Sequence, residues 1–210
     1  MAHTSFIKEF RLLQMHLPRK QGATVRGFTV IEVMITLAVA AVLLTLAAPA
    51  FMDLIAKNRL RSEVYALRGL LMEARSEALT ERNNVTVCRS SDGLECTGDW
   101  SDGYIAFFDN NSDGVVDDDE RVVLSRTPDT RRIDIRFSGE EDRVVFNSRG
   151  NARTAAGNFS GTFTLCDYRG AAEAAGLIVT PVGALTAAID KATPVDNIAD
   201  DHEGNNLACD

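Results

Sequence analysis

Arg26-Gly27-Phe28-Thr29-Val30-Ile31-Glu32 opens onto an uncharged, mostly apolar run over residues 33–52, and the reading of this stretch decides the architecture of the 210-residue chain. The run is long enough to cross a bilayer as a helix, which takes roughly 20 residues. Before it lie Lys8, Arg11, Arg19, Lys20 and Arg26 against a lone Glu9, a net of +4 in a chain whose total is -8. A basic flank stays on the cytoplasmic side, so everything after Met52 is expected outside the cytoplasm, in a single N-in, C-out pass. A secretory signal would have a shorter apolar core, of about 7–15 residues, and a small-residue cleavage site, for which Ala47-Ala48-Pro49-Ala50 is a weak candidate. Neither that reading nor a plain anchor accounts for a glycine before an aromatic residue or for a lone carboxylate, Glu32, in the apolar start. A charge at the edge of hydrocarbon is costly and marks a functional position by default.

These residues resemble the type IV pilin and type II secretion pseudopilin superfamily, whose precursors carry a basic leader, a Gly-Phe-Thr-x-x-Glu motif and an apolar helix. The resemblance implies that an inner-membrane prepilin peptidase cleaves between Gly27 and Phe28 and methylates the new amino group of Phe28. It also implies that Glu32, fifth residue of the mature chain, pairs with the terminal amine of a neighbouring subunit. The physics agrees, because in a low-dielectric helix bundle an unpaired carboxylate costs far more than one meeting an ammonium group.

Beyond the apolar run, Leu60, Val64, Leu67, Leu71, Ala74 and Ala78 recur at spacings of four and three, with Arg61, Glu63, Arg68, Glu73, Arg75 and Glu77 between them. That period predicts an amphipathic helix whose apolar stripe holds a globular domain, with Glu73, Glu77, Arg68 and Arg75 on a solvated face. Running from Phe28 to about Glu81, one continuous helix would be roughly 80 Å long. Pro49 should kink it, since proline lacks the N–H donor and clashes with the preceding turn. The stretch Leu71-Met72-Glu73-Ala74-Arg75-Ser76-Glu77-Ala78, followed by Val85-Thr86-Val87-Cys88, resembles the FimT/FimU/GspH subfamily of minor pilins and pseudopilins. Trp100-Ser101-Asp102-Gly103-Tyr104, Phe146-Asn147-Ser148-Arg149-Gly150 and Phe163-Thr164-Leu165-Cys166-Asp167 agree with it, whereas residues beyond Ala188 match poorly.

From Val85 the helical period gives way to short β-branched or aromatic runs between turn signals, at 85–89, 104–108, 122–125, 133–137, 143–146, 162–166 and 177–181. The expected fold is α+β, a long N-terminal helix with a membrane half and an amphipathic half, packed on a C-terminal antiparallel β domain. The chain divides into a leader 1–27, a transmembrane and assembly helix 28–53, a stalk helix 54–82, a β-rich periplasmic domain 83–192 and a polar tail 193–210. The tail holds little to bury and is expected to be loose. Four cysteines outside the cytoplasm favour disulfides, with three connectivities open. Cys88 and Cys96 flank the Ser91-Asp92-Gly93 turn and can close a small loop, which leaves Cys166 for Cys209.

Residues 109–120, Asp-Asn-Asn-Ser-Asp-Gly-Val-Val-Asp-Asp-Asp-Glu, satisfy the twelve-residue calcium-loop pattern. Candidate ligands are Asp109, Asn111, Asp113, the Val115 carbonyl, Asp117 and Glu120, although the flanks read as strands rather than helices and a polar hairpin is the simpler reading. No cofactor is required, and Ca2+ is a candidate ligand here. A second cluster, Arg121, Arg126, Arg131, Arg132, Arg136, Arg143, Arg149 and Arg153, is interleaved with Asp129, Asp134, Glu140, Glu141 and Asp142 for a local net of +3. DNA-receptor members of the resembled subfamily use a Gly-Arg-x-Arg motif, and Gly183-Ala184-Leu185-Thr186 lacks both arginines. That departure and the acidic remainder argue against DNA as a partner. Composition is that of an ordinary globular protein, 45% hydrophobic and 25% charged, and the only histidines are His3, His16 and His202. They lie near the two ends, which removes most Ser-His-Asp, Cys-His and histidine-rich metal readings, and an enzyme is not expected. The expected role is a minor type IV pilin that primes or tips pilus assembly, in the inner membrane and then the filament, with other pilins and the prepilin peptidase as partners. The alternatives are a GspH-like pseudopilin of type II secretion and a minor-pilin DNA receptor.

Overall fold

The computed structural model describes residues 27–128, 132–139, 141–154 and 157–209. Leader residues 1–26, with His3 and His16 among them, and Asp129, Arg131 and Glu140 lie outside them. The chain falls into two compact units, Met1–Ala47 and Ala48–Asp210. One helix, α1 (Val30–Glu81), begins in the first and ends in the second, and its helical assignment runs unbroken through Pro49.

In the first unit Gly27, Phe28 and Thr29 precede the helix, which starts two residues later than the sequence suggests. Thr29 is the reason. Its Oγ1 accepts the Glu32 backbone N–H at 3.3 Å and its carbonyl accepts the Val33 N–H, an N-cap that fixes the first turn. The apolar side chains that follow, among them Ile31, Met34, Leu37, Val42 and Leu44, are all exposed.

The second unit contains the last part of α1 and, among the described residues, ten strands. They are β1 (Val85–Arg89), β2 (Tyr104–Phe108), β3 (Val122–Arg126), β4 (Asp134–Ser138), β5 (Arg143–Phe146), β6 (Ala152–Thr154), β7 (Gly157–Asn158), β8 (Gly161–Cys166), β9 (Ala175–Val179) and β10 (Leu185–Ala187). All pairings are antiparallel, giving a six-stranded sheet in the order β3-β2-β1-β5-β6-β7 and a four-stranded sheet in the order β10-β9-β8-β4. The predicted stripe of α1 is what covers them. Leu67, Leu71, Ala74 and Ala78 are fully buried in one cluster with Val85, Val87 and Phe146 of the first sheet and Phe163, Leu165 and Leu177 of the second. Each of the two leucines contributes roughly 1.5–3 kcal/mol by leaving water. Trp100 fills the end of this core, edge-on to Phe163 at 4.9 Å between ring centres.

Alternation explains why β1 and β2 are buried on both faces. Val85, Val87, Tyr104 and Ala106 point to the main core, while Cys88, Ile105 and Phe107 point the other way. That second face is sealed by Cys96, Val116 and Val122, so the loop between β2 and β3 is a lid on the sheet as well as a turn.

Differences from the sequence reading have local causes. Strand β9 ends at Val179, not at Pro181, because Thr180 and Ala184 close a turn through Thr180 N–H to Ala184 O at 2.9 Å. Strands β6, β7 and β10, two or three residues each, carry too few residues for a period-two pattern to register. The tail is not loose. Leu207 is buried against Gly176, where a Cβ would meet its Cδ1 at 2.9 Å. Asp190, Asp196 and Asp201 each accept backbone N–H groups nearby, which lets polar residues hold an ordered path without a core of their own. His202 rests on Thr162, with Nδ1 and Oγ1 2.9 Å apart.

Candidate functional site

At the start of α1 the residues singled out from the sequence are all accessible. Phe28 is 82% exposed, and a Cβ on Gly27 would meet nothing within 4 Å. Among the described residues nothing demands glycine at position 27. Glu32 lies in the first helical turn, where the unpaired N–H groups favour a negative charge, and its carboxylate has no partner among the described residues. The helix is long and apolar enough to cross a membrane by length and composition.

Further along α1 the charges behave differently from a solvated face. Glu63 is 5% exposed and accepts the Tyr104 hydroxyl at 3.0 Å and the Arg126 guanidinium at 3.3 and 3.2 Å. Burial, together with the Glu63 charge, pushes the Tyr104 phenol well above its ordinary range. The hydrogen bond to Glu63 likewise raises the pKa of Arg126. Arg75 is also engaged: its Nε donates to Gly150 O at 2.7 Å and its Nη2 to Val182 O at 3.0 Å. These contacts bolt the helix to two loops. A signal for Glu63 was present, since it stands three residues after Leu60 and four before Leu67, on the apolar stripe itself. Tyr168 donates to Asp53 at 3.1 Å, and partial desolvation together with that hydrogen bond raises the phenol's pKa.

The acidic loop is tightly organised. Asp109, fully buried, accepts the Thr86 hydroxyl at 2.6 Å and the Gly114 N–H at 3.1 Å through Oδ2, while its Oδ1 has no partner. Asn111 Oδ1 accepts the Asp113 N–H, and Asp113 Oδ1 accepts the Val115 N–H. Glu120 spans the loop, taking the N–H groups of Asn110 at 2.6 Å and Asp117 at 3.4 Å. Among the described residues, no three His, Cys, Asp or Glu side chains are already gathered as a metal site. The cysteines are joined Cys88 to Cys96 and Cys166 to Cys209.

Comparison with known proteins bears on both ends of the chain. The family described as type II transport protein GspH matches residues 63–183, more than half of the sequence. The chain belongs to the GspH family. The prokaryotic N-terminal methylation motif matches residues 23–48, across Gly27, Phe28 and Glu32. No curated protein matches. Among solved structures, the type IV minor pilin FimU of Pseudomonas aeruginosa PAO1 is 18% identical, with a TM-score of 0.49 over 63% of this chain and 90% of that one. A second crystal form of FimU gives 0.47, over 61% of this chain and 91% of that one, again at 18% identity. The minor pseudopilin EpsH of Vibrio cholerae is 10% identical, with a TM-score of 0.42 over 61% of this chain and 95% of that one. As a GspH-family member the chain is a minor pilin or pseudopilin, a class that is structural rather than catalytic.

Four arginines of the cluster in this GspH-family chain have individual engagements. Arg126 pairs with Glu63, Arg136 with Asp134 and Arg143 with Glu141, while Arg121 lies over the Phe108 ring at 5.2 Å. Gly183, where an arginine-bearing motif was sought, has φ +71 and approaches Gly150 so closely that a Cβ would meet Gly150 O at 2.0 Å. That glycine serves the turn against which Arg75 is anchored.

Proposed function

We propose that this chain is a minor type IV pilin that takes part in priming or tipping pilus assembly. Cleavage between Gly27 and Phe28 frees the Phe28 amine, which is methylated, and the segment 28–53 then stays in the inner membrane with the stalk half of α1 and the β domain in the periplasm. Assembly proceeds through the apolar surface of α1, whose neighbours are the helices of other pilins. Glu32 sets the register by meeting the terminal amine of an adjacent subunit. The observation that carries this reading is Glu32, unpartnered among the described residues, at the head of an exposed apolar stretch of α1, on a chain whose other unit buries its own core. The glycine at 27, which no described neighbour requires, fits the same account.

A Glu32→Val variant tests it. Leader cleavage should proceed as in the parent, while recovery in sheared filaments falls at least tenfold; undiminished recovery would remove charge pairing from the mechanism. The match to a family described by type II transport supports a second reading, a pseudopilin of a secretion apparatus. In a deletion strain, loss of pili with secretion intact identifies the pilin, and the reverse identifies the pseudopilin. Loss of DNA uptake alone would make the chain a DNA receptor.

A further inference from the structure

We propose that residues 109–120 form a calcium site that takes one Ca2+ per chain and locks the β2–β3 connection onto the sheet. Oxygen-bearing groups stand at the spacing that a hard cation of six to eight ligands requires: Asp109, Asn111, Asp113, the Val115 carbonyl, Asp117 and Glu120. Gly114, at the sixth place, has φ +75, the sharp turn that brings the later ligands back towards the first.

The decisive observation is Asp109. A carboxylate that is fully buried should have both oxygens satisfied, yet Oδ1 has no hydrogen-bond partner. Its sister Oδ2 is held by Gly114 N–H, so the group faces the inside of the loop. A divalent cation there would meet the orphaned oxygen and offset the mutual repulsion of Asp109, Asp113, Asp117, Asp118, Asp119 and Glu120. The cation-bearing side chain against the loop, Arg143, lies over Gly114 with its Nε 3.0 Å from Glu141. Entry of calcium requires Asp113, Asp117 and Glu120 to release the N–H groups they now accept, including both amide contacts from Asn111. That exchange places the affinity with extracellular modules, at a Kd of about 10⁻⁴–10⁻³ M.

The same loop is wired to its surroundings. Asn84 Nδ2 donates to Ser112 Oγ at 2.8 Å, Asp109 N–H donates to Asn84 O at 3.0 Å, and Val116 packs on the cluster of Ile105 and Phe107. Ordering it by a cation therefore tightens the exit of α1 and the second face of the sheet together.

The test uses the full processed chain in detergent, stripped with a chelator and titrated with CaCl2 or MgCl2 by calorimetry and by thermal melting. Expected are one calcium per chain, a Tm rise of about 3–6 °C at ten times Kd, and magnesium at least tenfold weaker, because Mg2+ demands near-octahedral geometry and sheds water reluctantly. Asp113→Asn and Glu120→Gln, at less buried positions, should each weaken binding at least tenfold, and Asp109→Asn should abolish it. Asp200→Asn is the control, since Asp200 is equally buried with an orphaned Oδ1 but stands outside the twelve-residue pattern. The proposal is overturned by absence of heat and Tm shift up to about 10 mM calcium, well above that affinity range. Binding that survives both Asp113→Asn and Glu120→Gln, or that is lost only in Asp200→Asn, overturns it equally.

Discussion

Glu32 and Glu63 are carried by the same helix and have opposite fates. Glu63 is nearly closed off from solvent and is answered within the chain by a phenol and a guanidinium. Glu32 is surrounded by exposed Val30, Ile31, Val33 and Ile35, and nothing described in the chain answers it. The difference separates two meanings of a charge in apolar company. One is a fastener of the fold, whose partners arrive with the β domain. The other has physical sense only when a second molecule supplies the counter-charge.

The sharpest way to break this comparison is Glu63→Ala. Removing one member of a buried pair costs roughly 3–5 kcal/mol, reduced here to about 2–3 because the stranded Arg126 can reach water. The domain should lose roughly 5–10 °C in Tm by calorimetry, whereas Glu32→Val in detergent should leave Tm where it was; equal losses would show that the two carboxylates are not distinct in kind. Next in size is Arg75→Met, which strands the Gly150 and Val182 carbonyls and should cost about 2 kcal/mol, since hydrogen bonds to charged donors contribute about 1.5–3 each before water replaces part of them. A cost near zero would return Arg75 to the solvated face.

The smallest effect tests charge inside the second unit alone. Burial by itself would raise the Asp167 carboxyl, but hydrogen bonds from the Arg169 side chain and backbone outweigh it and hold it below the ordinary range. A lowered native value means that its contribution is complete above about pH 4, the unfolded aspartate value, and is lost as pH falls through the native one. Asp167→Asn keeps an acceptor for Arg169, which Glu173 also holds, and should therefore cost about 1 kcal/mol at pH 7, a cost that shrinks as pH falls below about 4. A cost that is independent of pH would assign the effect to packing.

Which parts of this were legible in the sequence follows from the range of the interactions involved. The helix, with its stripe through Leu67, Leu71, Ala74 and Ala78, and strands such as β1, β2 and β5 announce themselves because their patterns are periodic within one element. Turn residues at both ends then confine them. Glu63 reads as lying off the apolar stripe because its partners, Tyr104 and Arg126, are on other elements, although its place between Leu60 and Leu67 points inward. Arg75 is a similar case, four residues after Leu71, with acceptors that are backbone carbonyls and so have no residue signature at all. The tail was judged by its lack of apolar residues, but aspartates that cap backbone N–H groups, and one leucine over a glycine, can order a segment that composition describes as loose. The acidic loop was legible as a pattern; the orphaned oxygen of Asp109 could be seen only once Thr86 and Gly114 had taken the other one.

The bond between Cys166 and Cys209 joins positions 43 residues apart. In covalent terms the stretch between them is a ring carried on the last residue of β8, rather than a branch hanging from it. A single peptide-bond cut anywhere inside that ring would add one water to the mass and release no fragment. The exposed polar turns around Asp196 and Asp201 can thus be nicked under oxidising conditions while both new ends remain attached to the molecule, and only loss of the bridge would let one of them leave.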